Sequence, residues 1–208
     1  SALQYMYVDG NRFTGPLPPF AGAPQLLEAV LSRNELDGPL PDRIAATNTH
    51  LKRFDAHSNA LTGTLPAGLV GGLSVLETLN VHSNRLSGSI PDALRDAEYL
   101  RYMDVSDNAL VGAVPDLRPL IHQRMQFFLA SHNRLSAAAG ETNADRVASD
   151  GALCKLSLCA LAHNNFSCAV HSCAESHCGA QCGQEGFNDD YDDVADDNDA
   201  AGADDRGH

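Results

Sequence analysis

Seven asparagines recur along this chain at nearly constant spacing. They are Asn11, Asn34, Asn59, Asn84, Asn108, Asn133 and Asn164, separated by 23, 25, 25, 24, 25 and 31 residues. Each sits in the same apolar frame, with apolar side chains eight, five and three residues before it and one two residues after it. In the fourth unit these are Leu76, Leu79, Val81 and Leu86, and in the fifth Leu100, Met103, Val105 and Leu110. A period in the twenties argues against one central core. A single unit cannot bury its own apolar edge, so the units must stack on one another as a solenoid.

Within each unit, the apolar positions five and three residues before the asparagine follow the two-residue period of a strand, and the residues between them must face the other way. The asparagine is polar yet flanked by core positions. Buried polar groups require partners, and a carboxamide offers both donors and an acceptor. A turning backbone leaves amides and carbonyls for it to meet. The sequence therefore predicts a ladder of asparagines bridging successive turns, each worth roughly 1–3 kcal/mol in satisfied backbone groups.

Five units carry a second signature after the asparagine: Leu36-Asp-Gly38-Pro-Leu40-Pro41, Leu61-Thr-Gly63-Thr-Leu65-Pro66, Leu86-Ser-Gly88-Ser-Ile90-Pro91, and the matching segments at Phe13–Pro18 and Leu110–Pro115. Glycine permits a tight turn there, and proline ends a short extended stretch. The combined pattern resembles leucine-rich repeat proteins of the plant-specific LxGxIP class, and covers roughly residues 1–170. That class is found in receptor-kinase ectodomains and polygalacturonase-inhibiting proteins, and similar units occur in kinetoplastid surface antigens. The resemblance implies an α/β solenoid: a right-handed, curved stack of about seven repeats with a concave parallel β-sheet and an irregular or 3-10 convex side. It also implies a module that binds rather than catalyses.

Charge and cysteine placement divide the chain further. The net charge is −13, but residues 188–208 hold nine Asp and one Arg, so the remainder is only mildly acidic. No basic stripe is present, which disfavours nucleic-acid binding. No apolar run reaches the ~18 residues of a spanning helix. The six cysteines (Cys154, Cys159, Cys168, Cys173, Cys178 and Cys182) fall in the stretch that closes the last unit. They read as a disulfide-stapled cap in an oxidising compartment. Two rivals stand beside that reading: a buried thiol at Cys159, and a zinc site drawn from the last four cysteines with His171 or His177. Asn165-Phe166-Ser167 is a glycosylation acceptor. The predicted organisation is repeats over 1–153, the last repeat and cap over 154–187, and an acidic disordered tail over 188–208. The first residues fall directly on a core position, so the repeats are expected to be truncated at this end. The expected setting is secreted or cell-surface, and any membrane attachment would come through a missing anchor.

The sixth unit lacks the glycine–proline ending. In its place runs an Ala-rich excursion over 136–153, predicted to form a short helix.

Strand residues outside the core should form three columns on the concave face. The column six residues before each asparagine holds Tyr5, Glu28, Arg53, Thr78, Tyr102, Phe127 and Leu158. The column four before holds Tyr7, Val30, Asp55, Asn80, Asp104, Leu129 and Ala160. The column two before holds Asp9, Ser32, His57, His82, Ser106, Ser131 and Ala162. Candidate ligand contacts are an aromatic spot (Tyr5, Tyr7), a polar centre (Arg53, Asp55, His57, Asn80, His82, Tyr102, Asp104) and an apolar end (Phe127, Leu129). Exposed Tyr and Arg are frequent interface anchors. His57 and His82 should lie side by side as surface histidines, with a pH switch or a zinc site as the alternatives; no metal and no cofactor is assigned.

No nucleophile elbow, phosphate loop or paired-carboxylate motif is present, and the chain is read as a non-enzyme. The predicted function is extracellular ligand binding, with a protein, peptide or glycan partner on the concave face. Two alternatives remain: a structural coat or adhesion antigen, and an enzyme inhibitor of the polygalacturonase-inhibitor kind.

Overall fold

The computed structural model describes residues 2–18, 20–136 and 155–165. In chain order the elements are β1 (Tyr5–Tyr7), β2 (Thr14–Pro16), β3 (Glu28–Val30), β4 (Glu35–Pro39), α1 (Ile44–Thr47), β5 (Arg53–Asp55), β6 (Ala60–Thr62), α2 (Ala67–Val70) and β7 (Thr78–Asn80). They continue with β8 (Ser87–Gly88), a 3-10 helix (Asp92–Asp96), β9 (Tyr102–Asp104), β10 (Ala109–Gly112), α3 (Arg118–Gln123), β11 (Phe127–Leu129), β12 (Arg134–Leu135) and β13 (Leu158–Ala160).

One strand from each coil enters a seven-stranded parallel sheet, in the order β1-β3-β5-β7-β9-β11-β13. The pairing preserves the sequence columns: Tyr5 lies against Glu28, then Arg53, Thr78, Tyr102, Phe127 and Leu158. The fixed interval between asparagines sets this register, because a slip of one residue would turn every core side chain outward. The middle residue of each strand points inward, and Phe54, Leu79, Met103 and Phe128 are wholly buried. Inter-coil hydrogen bonds continue past the strands, from Ala56 N to Asn80 O at 2.9 Å and from Val81 N to Asp104 O at 2.9 Å.

Six of the seven asparagines bridge adjacent coils. The Asn34 amide nitrogen donates to its own coil at Leu31 O (3.0 Å) and to Val8 O of the preceding coil (2.9 Å), while its oxygen accepts from Phe13 N (3.1 Å). Asn59, Asn84, Asn108, Asn133 and Asn164 each repeat the arrangement. Asn11 bonds only within its own coil, to Val8 O and Asp9 O. The residue before each ladder asparagine is left-handed: Gly10, Arg33, Ser58, Ser83, Asp107, His132 and His163 all have φ between 51° and 64°. L-residues rarely adopt this conformation. The inter-coil bonds on either side hold it in place, such as Ser58 N to His82 O at 3.0 Å.

The side opposite the large sheet, expected to be irregular or 3-10, carries the 3-10 helix at Asp92–Asp96 and also short paired strands. Two three-stranded parallel ribbons, β2-β4-β6 and β8-β10-β12, form here, and all their strands but β12 lie in or beside the glycine–proline signatures. The glycines of that column, from Gly15 to Gly112, have φ of 74° to 84°, the turn that the signature requires. Pro66 and Pro91 then stand at the helix caps of α2 and the 3-10 helix, with extended backbone. The short helices that follow bury Ile44, Leu69, Leu94 and Leu120. Gly71 marks their closest approach, since a Cβ there would run into the Ala93 carbonyl. Asn48 is fully buried, and its amide donates to Ala23 O (2.7 Å) and Phe20 O (3.3 Å) of the preceding coil.

Two core assignments of the first unit are corrected. Leu3 and Phe13 are 45% and 52% exposed. They lie on the first coil, at the edge of the described stack. The excursion over 137–153, all cysteines but Cys159, and the acidic tail lie outside the described residues. Cys159 is buried in the core and disulfide-bonded, so it is not a free buried thiol.

Candidate functional site

The face of the large sheet away from the core carries the three predicted columns. Strands in a ladder stand about 4.8 Å apart, so seven of them make a surface roughly 30 Å long. At its middle lies a shallow depression of 440 Å³ lined by Arg53, Asp55, Thr78, Asn80, Arg101, Tyr102, Gln126 and Phe127. Arg101 and Gln126 belong to a fourth column, seven residues before the ladder asparagine, which the sequence reading passed over. Its other members include Lys52 and Glu77, which pair across coils at 3.6 Å. The signal was available in the spacing: two residues separate the core positions eight and five before the asparagine, and both can border the outward face.

Two predicted contact residues are corrected. Asp55 and Asp104 lie on the expected face but are only 4% and 8% exposed. The Asp55 carboxylate accepts from Arg53 Nη2 at 3.0 Å and from His57 Nδ1 at 2.6 Å. The Asp104 carboxylate accepts from Tyr102 Oη at 3.2 Å and from Ser106 N at 3.0 Å. Each is the central outward residue of its strand, enclosed by longer side chains on the same strand and by strands on both sides. They position their neighbours and present little surface of their own. With both carboxylates occupied, the accessible side chains of the depression are cationic, amide and aromatic.

Tyr102 is half-buried, and its ring lies 5.8 Å from that of Phe127. Burial, and then the charge and hydrogen bond of Asp104, push the Tyr102 hydroxyl up to about 12. It is therefore a neutral donor at any ordinary pH.

At the start of the face, Tyr5 and Tyr7 are half exposed with rings 6.2 Å apart, and Tyr7 Oη donates to Glu28 at 2.8 Å. That bond raises the Tyr7 pKa. His57 and His82, expected side by side, stack with ring centroids 4.5 Å apart and planes within 11°. A second stack, His132 on His163 at 4.3 Å, was missed. Its members occupy the left-handed position before the ladder asparagine, which brings equivalent residues of successive coils together. At the far end Phe127 and Leu129 are half-buried and Leu158 is 48% exposed. Asn165 is exposed. Among the described residues, no group of three or more His, Cys, Asp or Glu is set to hold a metal ion, and no helix is long and apolar enough to cross a membrane.

The family description Leucine Rich Repeat matches residues 75–97, which span the fourth strand of the large sheet and the helical segment after it. No curated protein matches the chain in sequence. Among solved structures, the chain is similar to the plant peptide hormone receptor RGFR1 in complex with RGF2, at 27% identity and a TM-score of 0.70 over 79% of this chain and 25% of that one. It is similar to the Arabidopsis receptor kinase HAESA ectodomain in complex with an IDA peptide hormone, at 25% identity and a TM-score of 0.67 over 79% of this chain and 26% of that one. A plant ice-binding protein matches at 25% identity and a TM-score of 0.63, over 79% of this chain and 50% of that one. This chain thus spans about a quarter of the two receptor ectodomains. The repeated asparagine frame, the seven-stranded parallel sheet it builds and these likenesses give the chain the α/β solenoid fold of leucine-rich repeat proteins, and its residues 75–97 match the Leucine Rich Repeat family.

Proposed function

We propose that this chain is a ligand-binding leucine-rich repeat module of a secreted or cell-surface protein, and that it seats an extended peptide across the middle of its large sheet. The observation that carries this reading is the depression at Arg53, Arg101, Tyr102, Gln126 and Phe127. It combines the residue types that anchor interfaces with a hydrogen-bonded support beneath them. An extended segment could place polar groups against Arg53, Thr78 and Asn80, and apolar groups against Phe127, Leu129 and Leu158. The similarity to receptor ectodomains solved with peptide hormones supports a peptide over other partners. The cysteine-rich segment at 154–187 as a disulfide cap, and a glycan on Asn165, fit the same extracellular setting.

The test is a peptide selected from a random display library, with affinity measured against variants. Arg53→Ala and Tyr102→Ala should each weaken the selected peptide by tenfold or more, as truncated hot spots do, while circular dichroism shows that each variant remains folded. If a panel of substitutions across this face leaves every selected interaction intact, the solenoid acts as a structural spacer or coat instead.

A further inference from the structure

Two tyrosines and a carboxylate at the start of the large sheet form a cluster that the depression does not use. Tyr5 and Tyr7 are successive outward residues of β1, 50% and 56% exposed. Their ring centroids stand 6.2 Å apart, with planes 27° from parallel. Glu28 lies beside Tyr5 in the register of the neighbouring strand β3. Its Oε2 accepts from Tyr7 Oη at 2.8 Å, which fixes the carboxylate next to the rings.

The charge around this cluster is negative and unbalanced. Among the described residues Glu28 forms no ion pair. Its neighbour in the register on the other side is Arg53, whose guanidinium is held by Asp55 at 3.0 Å. Asp9 is exposed and continues the outward alternation after Tyr7, since the inter-strand bonding runs on through Val8 and Gly10. Arg12 and Arg33 lie beyond the strands, in the turns about Asn11 and Asn34.

The face of an aromatic ring is its negative side, and it attracts a cation within about 6 Å of the centroid. With the two centroids 6.2 Å apart, a cation resting against both rings is inside that range of each. The carboxylate alongside supplies a charged hydrogen-bond acceptor. An ammonium is compact and strongly hydrated. A guanidinium is planar, gives up water more easily, stacks on aromatic faces and pairs with a carboxylate through its fork of donors.

We propose that Tyr5, Tyr7 and Glu28 form a subsite for an arginine side chain of a polypeptide partner. The guanidinium lies against the tyrosine rings and donates to the Glu28 carboxylate. The subsite stands on these three side chains and does not depend on what the depression at Arg53 and Tyr102 holds.

The experiment titrates N-acetyl-arginine amide into the full chain and follows the tyrosine ring signals by nuclear magnetic resonance, with Tyr5→Leu and Tyr7→Leu assigning them. N-acetyl-citrulline amide, of similar shape but uncharged, and N-acetyl-lysine amide are the comparisons. The expected result is saturable movement of the Tyr5 and Tyr7 signals by the arginine probe, with affinity lower by about threefold or more for citrulline and for the Glu28→Gln variant. The lysine probe should bind more weakly than the arginine probe. Circular dichroism confirms that each variant is folded. If citrulline moves the signals as readily as arginine, or Glu28→Gln leaves the affinity unchanged, the assignment is wrong. Lysine binding as tightly as arginine would overturn the choice of a guanidinium. These outcomes involve no selected peptide, so they are separate from the fate of the depression.

Discussion

The side-chain nitrogen of Asn84 donates to the carbonyl of Ala56, one full coil earlier in the chain, at 3.0 Å. The same carboxamide donates to Val81 O within its own coil and accepts from Leu61 N of the coil before. One side chain thus satisfies backbone groups on two coils. Asn84→Ala leaves the Leu61 amide and the Ala56 carbonyl without that partner in a poorly hydrated place, at a cost of about 1–3 kcal/mol. Asn11→Ala should cost less, because Asn11 is exposed and bonds only within its own coil. Urea denaturation of the two variants checks the order, and equal losses would show that the bridging bonds contribute nothing.

A second staple lies on the opposite side of the coil. Asn48 is fully buried and holds the carbonyls of Phe20 and Ala23. Asn48→Leu keeps similar bulk but takes from those carbonyls, and from the Thr47 hydroxyl now bonded to the Asn48 oxygen at 2.7 Å, one of their buried partners. The expected loss is about 1–3 kcal/mol in chemical denaturation. A neutral outcome would mean that these carbonyls are served equally well by solvent.

Gly71 faces a different constraint. Its φ is ordinary, but a methyl group there would enter the space of the Ala93 carbonyl on the next helical segment. Gly71→Ala should destabilise the stack by about 1–3 kcal/mol through overpacking. A variant as stable as the parent would show that the two segments can separate without cost.

Tyr102 predicts an alkaline signature. Its folded-state pKa, about 12, lies above the ordinary tyrosine value of 10.0. Below the ordinary value the group is protonated in both folded and unfolded chains, and its contribution is fully present. As pH rises from there through about 12, only the unfolded chain loses the proton readily, and stability falls. Ultraviolet phenolate titration of the folded chain should show one late-titrating tyrosine that disappears in Tyr102→Phe. If the parent and the variant titrate alike at high pH, Asp104 and burial do not hold the proton.

Much of this arrangement can be read from the residues. Strand alternation combined with a fixed interval dictates that Arg53 lies beside Thr78 and that His57 stacks beside His82, with no further information needed. Burial on the open face is different. Asp55 and Asp104 fall on the outward face that alternation gives them, but their enclosure depends on where Arg53, His57 and Tyr102 turn their side chains. The ribbons through β4 and β10 were read as extended but not as paired, since pairing depends on how closely successive coils approach. Arg101 and Gln126 fell outside the three columns because they precede the strands proper. The His132–His163 stack follows from the left-handed residue before each asparagine. Gly10 in the first coil hints at that conformation, and the polar residues at the later positions conceal it.

Site-specific crosslinking tests the central claim most directly. A photoreactive amino acid replaces Thr78, in the floor of the depression, or Val111, which is 43% exposed on the ribbon of the opposite side. A display-selected peptide is then irradiated with each variant. The account predicts capture from position 78 and none from position 111. Capture from position 111, with none from 78, would contradict it.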